Sequence, residues 1–224
     1  MISHRYHSVF VHVPKTAGTS IEFALGHFRK MRWGVQDHRS IREIEPLSLH
    51  DMLGMAGQGA GRKILLKRAR AMLAGRPSVS RLHYQTYFKF TFVRNPWARI
   101  YSWYRNVLRE PRHRRAYGVP SDCAFPVFVH RHLDPTRGPM RSQLHWLLDK
   151  DNRIPLDFVG RFEHLDRDFE FVREKLRLPD GELPKLVMGG DALNYVERYD
   201  PPMIDRIARL YAAEIEQFGF RFGE

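Results

Sequence analysis

Lys15, Thr16, Gly18, Thr19 and Ser20 crowd into six residues directly after Pro14. An ammonium, three hydroxyls and a glycine that lets the backbone approach closely are the materials of a phosphate or sulfate cradle. Ala17 completes that stretch. A second set follows at Arg94-Asn95-Pro96, with Ser102 eight residues beyond Arg94. It offers a guanidinium and a hydroxyl to a second anion. A third kind of chemistry, proton transfer near neutral pH, suits histidine, whose unperturbed pKa is ~6.5.

The elements around these residues would position them. Val9 to Val13 is a β-branched and aromatic run, the composition of a strand. Pro14 to Gly18 reads as a tight turn. Thr19 and Ser20 can cap a helix over about Thr19 to Arg29, with Ile21, Phe23, Ala24 and Leu25 opening its apolar face. That arrangement gathers backbone N–H groups and the positive end of a helix dipole. The second set repeats the plan. Phe88 to Val93 reads as a buried strand, Asn95 as an N-cap and Pro96 as the first helical residue. Ile100, Trp103, Tyr104 and Leu108 then recur at helical spacing, and Ser102 falls just over two turns along. The first turn is not the ordinary P-loop, whose Lys follows the second Gly, because Lys15 precedes Gly18. Taken alone, it also fits a strand-to-helix connection that binds nothing.

Elsewhere Ser40 with Glu43 forms a capping-box pattern before a short helix. From Leu47 to Pro77 glycines loosen the pattern, and Arg62 to Arg76 is a basic helical segment that suits a flap, a membrane-surface helix or a plain solvated helix. Arg109 to Arg115 reads as a basic turn, Phe125 to Leu133 and Met140 to Leu148 as helices, and Leu156 to Phe162 as a third buried strand. Helices are expected over Asp166 to Leu178 and Met203 to Phe218, with a Gly- and Pro-containing loop from Pro179 to Asp191. Strands separated by helices predict an α/β fold with a parallel sheet. In such a sheet ligands bind beyond the carboxyl ends of the strands. Two anion sites on one edge suit a ligand with two anionic ends, such as a nucleotide with a 3′ phosphate and a 5′ phosphate chain.

The chain's 224 residues suit one domain, 1–224, with a basic helical insertion at about 47–80. A net charge of +12 favours an anionic partner. Cys123 is the only cysteine, so neither an intrachain disulfide nor a cysteine-based zinc site is available. Met1 to His12 lacks the apolar core of a signal peptide, and no apolar run reaches membrane-spanning length. The expectation is a soluble, cytoplasmic protein.

At this point the sequence resembles a family: the sulfotransferases that use 3′-phosphoadenosine 5′-phosphosulfate (PAPS), and within them the bacterial relatives of the carbohydrate sulfotransferases. Pro14-Lys15-Thr16-Ala17-Gly18-Thr19-Ser20 resembles the family's 5′-phosphosulfate loop, and Arg94-Asn95-Pro96 with Ser102 its 3′-phosphate motif. Trp146-Leu147-Leu148, Asp157 to Leu165 and the ending Phe218-Gly219-Phe220 extend the likeness. The resemblance implies a P-loop-kinase-like three-layer fold, with a central parallel sheet flanked by helices. It implies that Lys15 offsets charge on the leaving oxygen, that Pro14 to Ser20 hold the 5′ phosphate, that Arg94 and Ser102 hold the 3′ phosphate, and that Phe162 lies near the adenine. It implies a base, for which His38 is the first candidate, with Asp37 alongside to orient or replace it, and His83 the second. It implies that no metal takes part, and that the acceptor is a carbohydrate hydroxyl, with the bisphosphate 3′-phosphoadenosine 5′-phosphate as product. Nucleic acid is not an expected partner, and peripheral membrane contact stays open. One departure stands at Lys185 to Asp191, where relatives carry an Asn- and Ser-containing segment before closely spaced tyrosines. Two other readings compete: a nucleotide kinase on the same fold, and a non-enzymatic basic module that binds an anionic polymer.

Overall fold

The computed structural model describes residues 1–30, 34–184, 186 and 195–224. Its centre is a sheet of four strands in the order β1 (Ile2–Ser3), β2 (Ser8–Val11), β3 (Phe88–Val93), β4 (Phe158–Arg161). β2, β3 and β4 run parallel, in a register that sets Phe10 beside Phe90 and Phe90 beside Phe158. β1 is antiparallel to β2 and pairs Ile2 with Val9; no strand was expected there. The sheet is therefore mostly parallel, with one short antiparallel edge.

Strand alternation sends successive side chains to opposite faces. Phe10, Phe90 and Phe92 pack with Ile21 and Leu25 on one side, together with Phe169 and Val172 of α10 (Leu165–Leu176). Val11 and Val93 point the other way, into a larger core with Trp97, Ile100, Trp103 and Val107 of α6 (Pro96–Arg109). Helices thus cover both faces, the three-layer α/β architecture expected.

Several boundaries differ from the expectations, each for a local reason. The first helix, α1, is only Gly18–Ala24. Its N-cap position is Ala17, in the left-handed conformation, and neither Thr19 nor Ser20 caps it. Ser40 and Glu43 do form their reciprocal capping box at α2 (Ile41–Ile44). The glycine-rich stretch holds two helices, α3 (Leu49–Ala56) and α4 (Gly59–Leu73), and α5 (Arg81–Thr86) follows them. Asn95 caps α6 by accepting from the Trp97 N–H at 3.1 Å, with Pro96 in the first turn. Arg109 to Arg115 is not a turn: Pro111 opens a helix, α7 (Pro111–Tyr117), because proline suits a first turn where no N–H is needed. Phe125 to Leu133 is α8 (Phe125–Val127) running into a wide helical turn over Phe128–His132. The helix expected from Met140 shrinks to α9 (Leu144–Leu147). The last helix splits into α11 (Pro201–Leu210) and α12 (Ala212–Phe218), and the buried Tyr211 between them donates its hydroxyl to the Met140 carbonyl. The departing segment Lys185 to Asp191 lies outside the described residues except for Leu186.

Candidate functional site

Three consecutive strands end at the same edge. Pro14 and Lys15 follow β2, Arg94 follows β3, and Phe162 and Glu163 follow β4. Parallel pairing alone puts them side by side, where an α/β sheet receives ligands.

The turn after β2 is strained. Lys15 and Ala17 both have left-handed backbone, at φ 72° and 64°, which non-glycine residues rarely adopt. Such strain marks places where the fold holds the chain for a purpose. The backbone N–H groups of Lys15 to Thr19 donate to no group among the described residues. Buried or half-buried amides without partners are costly, so five in succession call for an external acceptor. The helix behind them has only seven residues, so the dipole contributes less than a Thr19 to Arg29 helix would. Thr16 points inward and donates its hydroxyl to the Val13 carbonyl at 2.8 Å, leaving its backbone amide for a ligand. Thr19 accepts from the Gln36 amide at 2.7 Å. Burial, with Arg94 and Arg109 nearby, lowers the Lys15 pKa to about 8.

Arg94 is buried, and burial pushes its pKa down to about 10, with Glu163 acting in the opposite direction. One guanidinium nitrogen, Nη1, donates to the Lys15 carbonyl at 3.3 Å, so the two motifs touch. The guanidinium lies 3.9 Å from the Phe162 ring centroid, and Nε has no partner. Phe162 thus lies against the guanidinium. Ser102 is buried on α6, and its hydroxyl makes no hydrogen bond among the described residues.

The residues that aim Arg94 escape sequence reasoning. Gln143 clamps its backbone from both sides, accepting from the Arg94 N–H at 2.8 Å and donating to its carbonyl at 2.7 Å. Gln143 is held in turn by Glu214, which also accepts from Ser142 at 2.6 Å and lies 3.7 Å from Arg99. Arg99 and Glu214 are both fully buried. Glu163 accepts the Asn95 N–H at 2.7 Å. Gln143 and Glu214 come from distant parts of the chain with no spacing that links them.

His38 reaches the first loop through His12. His12 ends the β2 run on the same face as Phe10, and its ring lies over Gly18: a Cβ there would sit 2.0 Å from His12 Cδ2. Only glycine permits that approach. The His12 and His38 rings are 4.1 Å apart. His38 Nδ1 is 3.3 Å from the His12 carbonyl, which can only accept, so Nδ1 carries the proton and Nε2 keeps its lone pair. Burial lowers the pKa of both rings, and each also depresses or is depressed by a neighbouring positive group. The His38 side chain is exposed on one side, and its lowered pKa leaves it neutral at pH 7. His12 is buried and lies 3.1 Å from Glu22 without hydrogen-bond alignment. Strand alternation was the signal for His12, and sequence reasoning did not use it.

Two candidates are corrected. Asp37 cannot serve as base. Burial works to raise its pKa, but the Met1 amino group, Arg39 at 2.7 Å and Arg76 at 3.2 Å outweigh it and hold the carboxyl well below the usual range. Asp37 is a structural anchor. His83 lies on α5 and stacks on Tyr87, just before β3 begins. Six residues of strand separate that end from Arg94, roughly 20 Å at ~3.3 Å per residue. Among the described residues, no group of three or more His, Cys, Asp and Glu side chains is arranged to hold a metal ion.

Comparison with known proteins agrees with this geometry. Carbohydrate sulfotransferase 14 of Homo sapiens is 29% identical over 199 residues, covering 80% of this chain and 46% of the relative. The Danio rerio protein of the same name is 30% identical over 125 residues, 46% of this chain and 34% of its own. Carbohydrate sulfotransferase 8 of Homo sapiens is 31% identical over 119 residues, 42% of this chain and 27% of its own. The chain spans about half the length of the first of these relatives and less of the others. No solved structure matches it. A family model described as the sulfotransferase family matches residues 1–221, which takes in both loops and all four strands, and the chain belongs to that family.

Proposed function

We propose that the protein moves a sulfuryl group from PAPS to a carbohydrate hydroxyl. The observation that carries this reading is the contact between the two motifs, where Arg94 donates to the Lys15 carbonyl beside five unpartnered loop amides. Two anion sites that share an edge fit a nucleotide phosphorylated at both ends better than a simple triphosphate. The residues fit that donor: the amides of Lys15 to Thr19 would hold the 5′ phosphate, and the free Nε of Arg94 with the Ser102 hydroxyl the 3′ phosphate. Phe162, under Arg94, offers an aromatic face to the nucleotide.

Bound there, PAPS would supply the sulfuryl group. Lys15 offsets negative charge that develops at the loop, an electrostatic contribution made in a site already organised for it. His38, neutral and with Nε2 free, accepts the proton of the acceptor hydroxyl. Holding acceptor and donor groups together supplies the rest of the acceleration, as in phosphoryl transfer. The carbohydrate acceptor follows from the names of the relatives, and the +12 charge suits one that is itself anionic.

The test is calorimetric titration with 3′-phosphoadenosine 5′-phosphate in buffer without Mg²⁺, with AMP and ATP as controls and the ATP titration repeated with Mg²⁺. Micromolar or tighter binding that requires the 3′ phosphate supports the reading. Equal affinity for AMP overturns the role of Arg94 and Ser102, and Mg²⁺-dependent preference for ATP turns the reading toward a kinase.

A further inference from the structure

Eleven large apolar side chains are exposed among the described residues, and six of them sit on the adjoining helices α3 and α4: Leu49, Met52, Leu53, Leu66, Met72 and Leu73. This is a concentration, not scatter. The two helices pack closely where Gly61 meets the Met55 backbone, since a Cβ on Gly61 would lie 2.3 Å from the Met55 carbonyl oxygen. Each then turns a different stripe outward. On α3, Asp51 and Met55 face the protein, with Asp51 3.4 Å from Lys150. Leu49, Met52, Leu53 and Ala56 occupy the opposite stripe at helical spacing.

On α4, Gly61, Ile64, Leu65 and Arg68 face inward, and Arg68 donates to the carbonyls of Arg42 and Glu45 at 3.0 and 2.7 Å. The outward stripe is Arg62, Lys63, Leu66, Ala69, Arg70 and Leu73. Leu66 and Leu73 are 57% and 84% exposed, next to three cations that have no acidic partner among the described residues. No acidic residue lies anywhere on α4.

We infer that the outward face of the α3–α4 pair docks on an anionic lipid bilayer. Leucines and methionines beside unpaired Arg and Lys match the boundary of such a bilayer, where acyl chains take the first group and headgroup phosphates the second. A soluble polyanion would reward the cations but leave the leucines in water. A partner helix would bury the leucines but leave the three cations unpaired unless it was acidic. No helix among the described residues is long and apolar enough to cross a membrane, so the contact lies on the surface. The chain just beyond α4 adjoins the His38 segment: Arg39 donates to the Pro77 carbonyl, and Arg76 pairs with Asp37. The surface is independent of the sulfotransfer reading.

The experiment is co-flotation of the 224-residue protein with vesicles of equimolar phosphatidylglycerol and phosphatidylcholine, and with phosphatidylcholine alone. Two combined variants accompany it: Leu53→Ser with Leu66→Ser and Leu73→Ser, and Arg62→Gln with Lys63→Gln and Arg70→Gln. All six side chains are exposed, so the circular dichroism spectrum and melting temperature should match the parent. The expected result is flotation on the mixed vesicles only, weakened about tenfold or more by each variant. Absence of flotation overturns the inference, as does flotation that survives the leucine variant. Retention on a soluble sulfated polymer without vesicle binding reassigns the face to a polyanion. A concentration-dependent dimer that the leucine variant disperses, without vesicle binding, reassigns it to a second copy.

Discussion

Lys15, Arg94 and His38 each have a state that the fold imposes and that chemistry can use. Lys15 loses its proton as pH rises through about 8 in the free site, because burial and the cations Arg94 and Arg109 disfavour its charge. An anionic ligand favours the charged form. Affinity for 3′-phosphoadenosine 5′-phosphate should therefore hold below pH 8 and fall above it by up to about tenfold per pH unit. Calorimetry across pH 7 to 9.5 (roughly the span over which Lys15 titrates) measures this, and a flat profile would mean that Lys15 does not meet the ligand. Arg94→Ala should erase the preference for the 3′,5′-bisphosphate over AMP in the same titration while the melting temperature stays near the parent's. His38→Ala should lower turnover by about a hundredfold or more with nucleotide affinity unchanged. Normal turnover would remove His38 from the reaction.

At the scale of elements, the site depends on a chain of contacts from α12 to the end of β3. Glu214 holds Gln143, Gln143 holds the Arg94 backbone, and Arg99 lies against Glu214. Every member is buried, so removing the carboxylate strands a guanidinium in the core. Glu214→Ala should cost about 3–5 kcal/mol, read as a drop in chemical-denaturation stability. Gln143→Leu, which leaves the charges paired, should cost less and should weaken bisphosphate binding specifically. The turn after β2 is fixed differently, by the exclusion of a Cβ at Gly18 under His12. Ala17 takes a left-handed conformation and α1 starts at Gly18, one residue before the expected Thr19; the helix is shorter than its apolar pattern suggested at its other end, where it stops at Ala24 ahead of Gly26 at φ 71°.

For the whole molecule, the +12 charge and the buried site should respond differently to salt. Raising ionic strength from ~0.1 M to ~1 M shortens the screening length from about 10 Å to about 3 Å. Exposed cations such as Arg62 and Arg70 are then screened, whereas Arg94 is buried and is screened less. Bisphosphate binding should weaken by less than about tenfold over that range, and contacts of the protein surface with polyanions or lipid should be lost. Isothermal titration at the two salt concentrations measures the first arm. A collapse of nucleotide affinity in step with surface binding would place the nucleotide on the exterior.

Local sequence determined the elements that carry the chemistry. β-branched and aromatic runs made β2 and β3, Asn95 and Pro96 started α6, and Ser40 with Glu43 started α2, because each of these depends on neighbours within a few residues. Lys15 and Arg94 were legible for the same reason: each follows a strand at a turn. Only the tertiary structure decided which residues serve them. Parallel pairing of β2 with β3 set Arg94 against the Lys15 carbonyl, the fold brought the His38 ring within 4.1 Å of the His12 ring and left His83 against Tyr87, and ion pairs with Arg39 and Arg76 tied up Asp37. Gln143 and Glu214 were invisible because burial and long-range pairing, not spacing along the chain, give a polar side chain its partner.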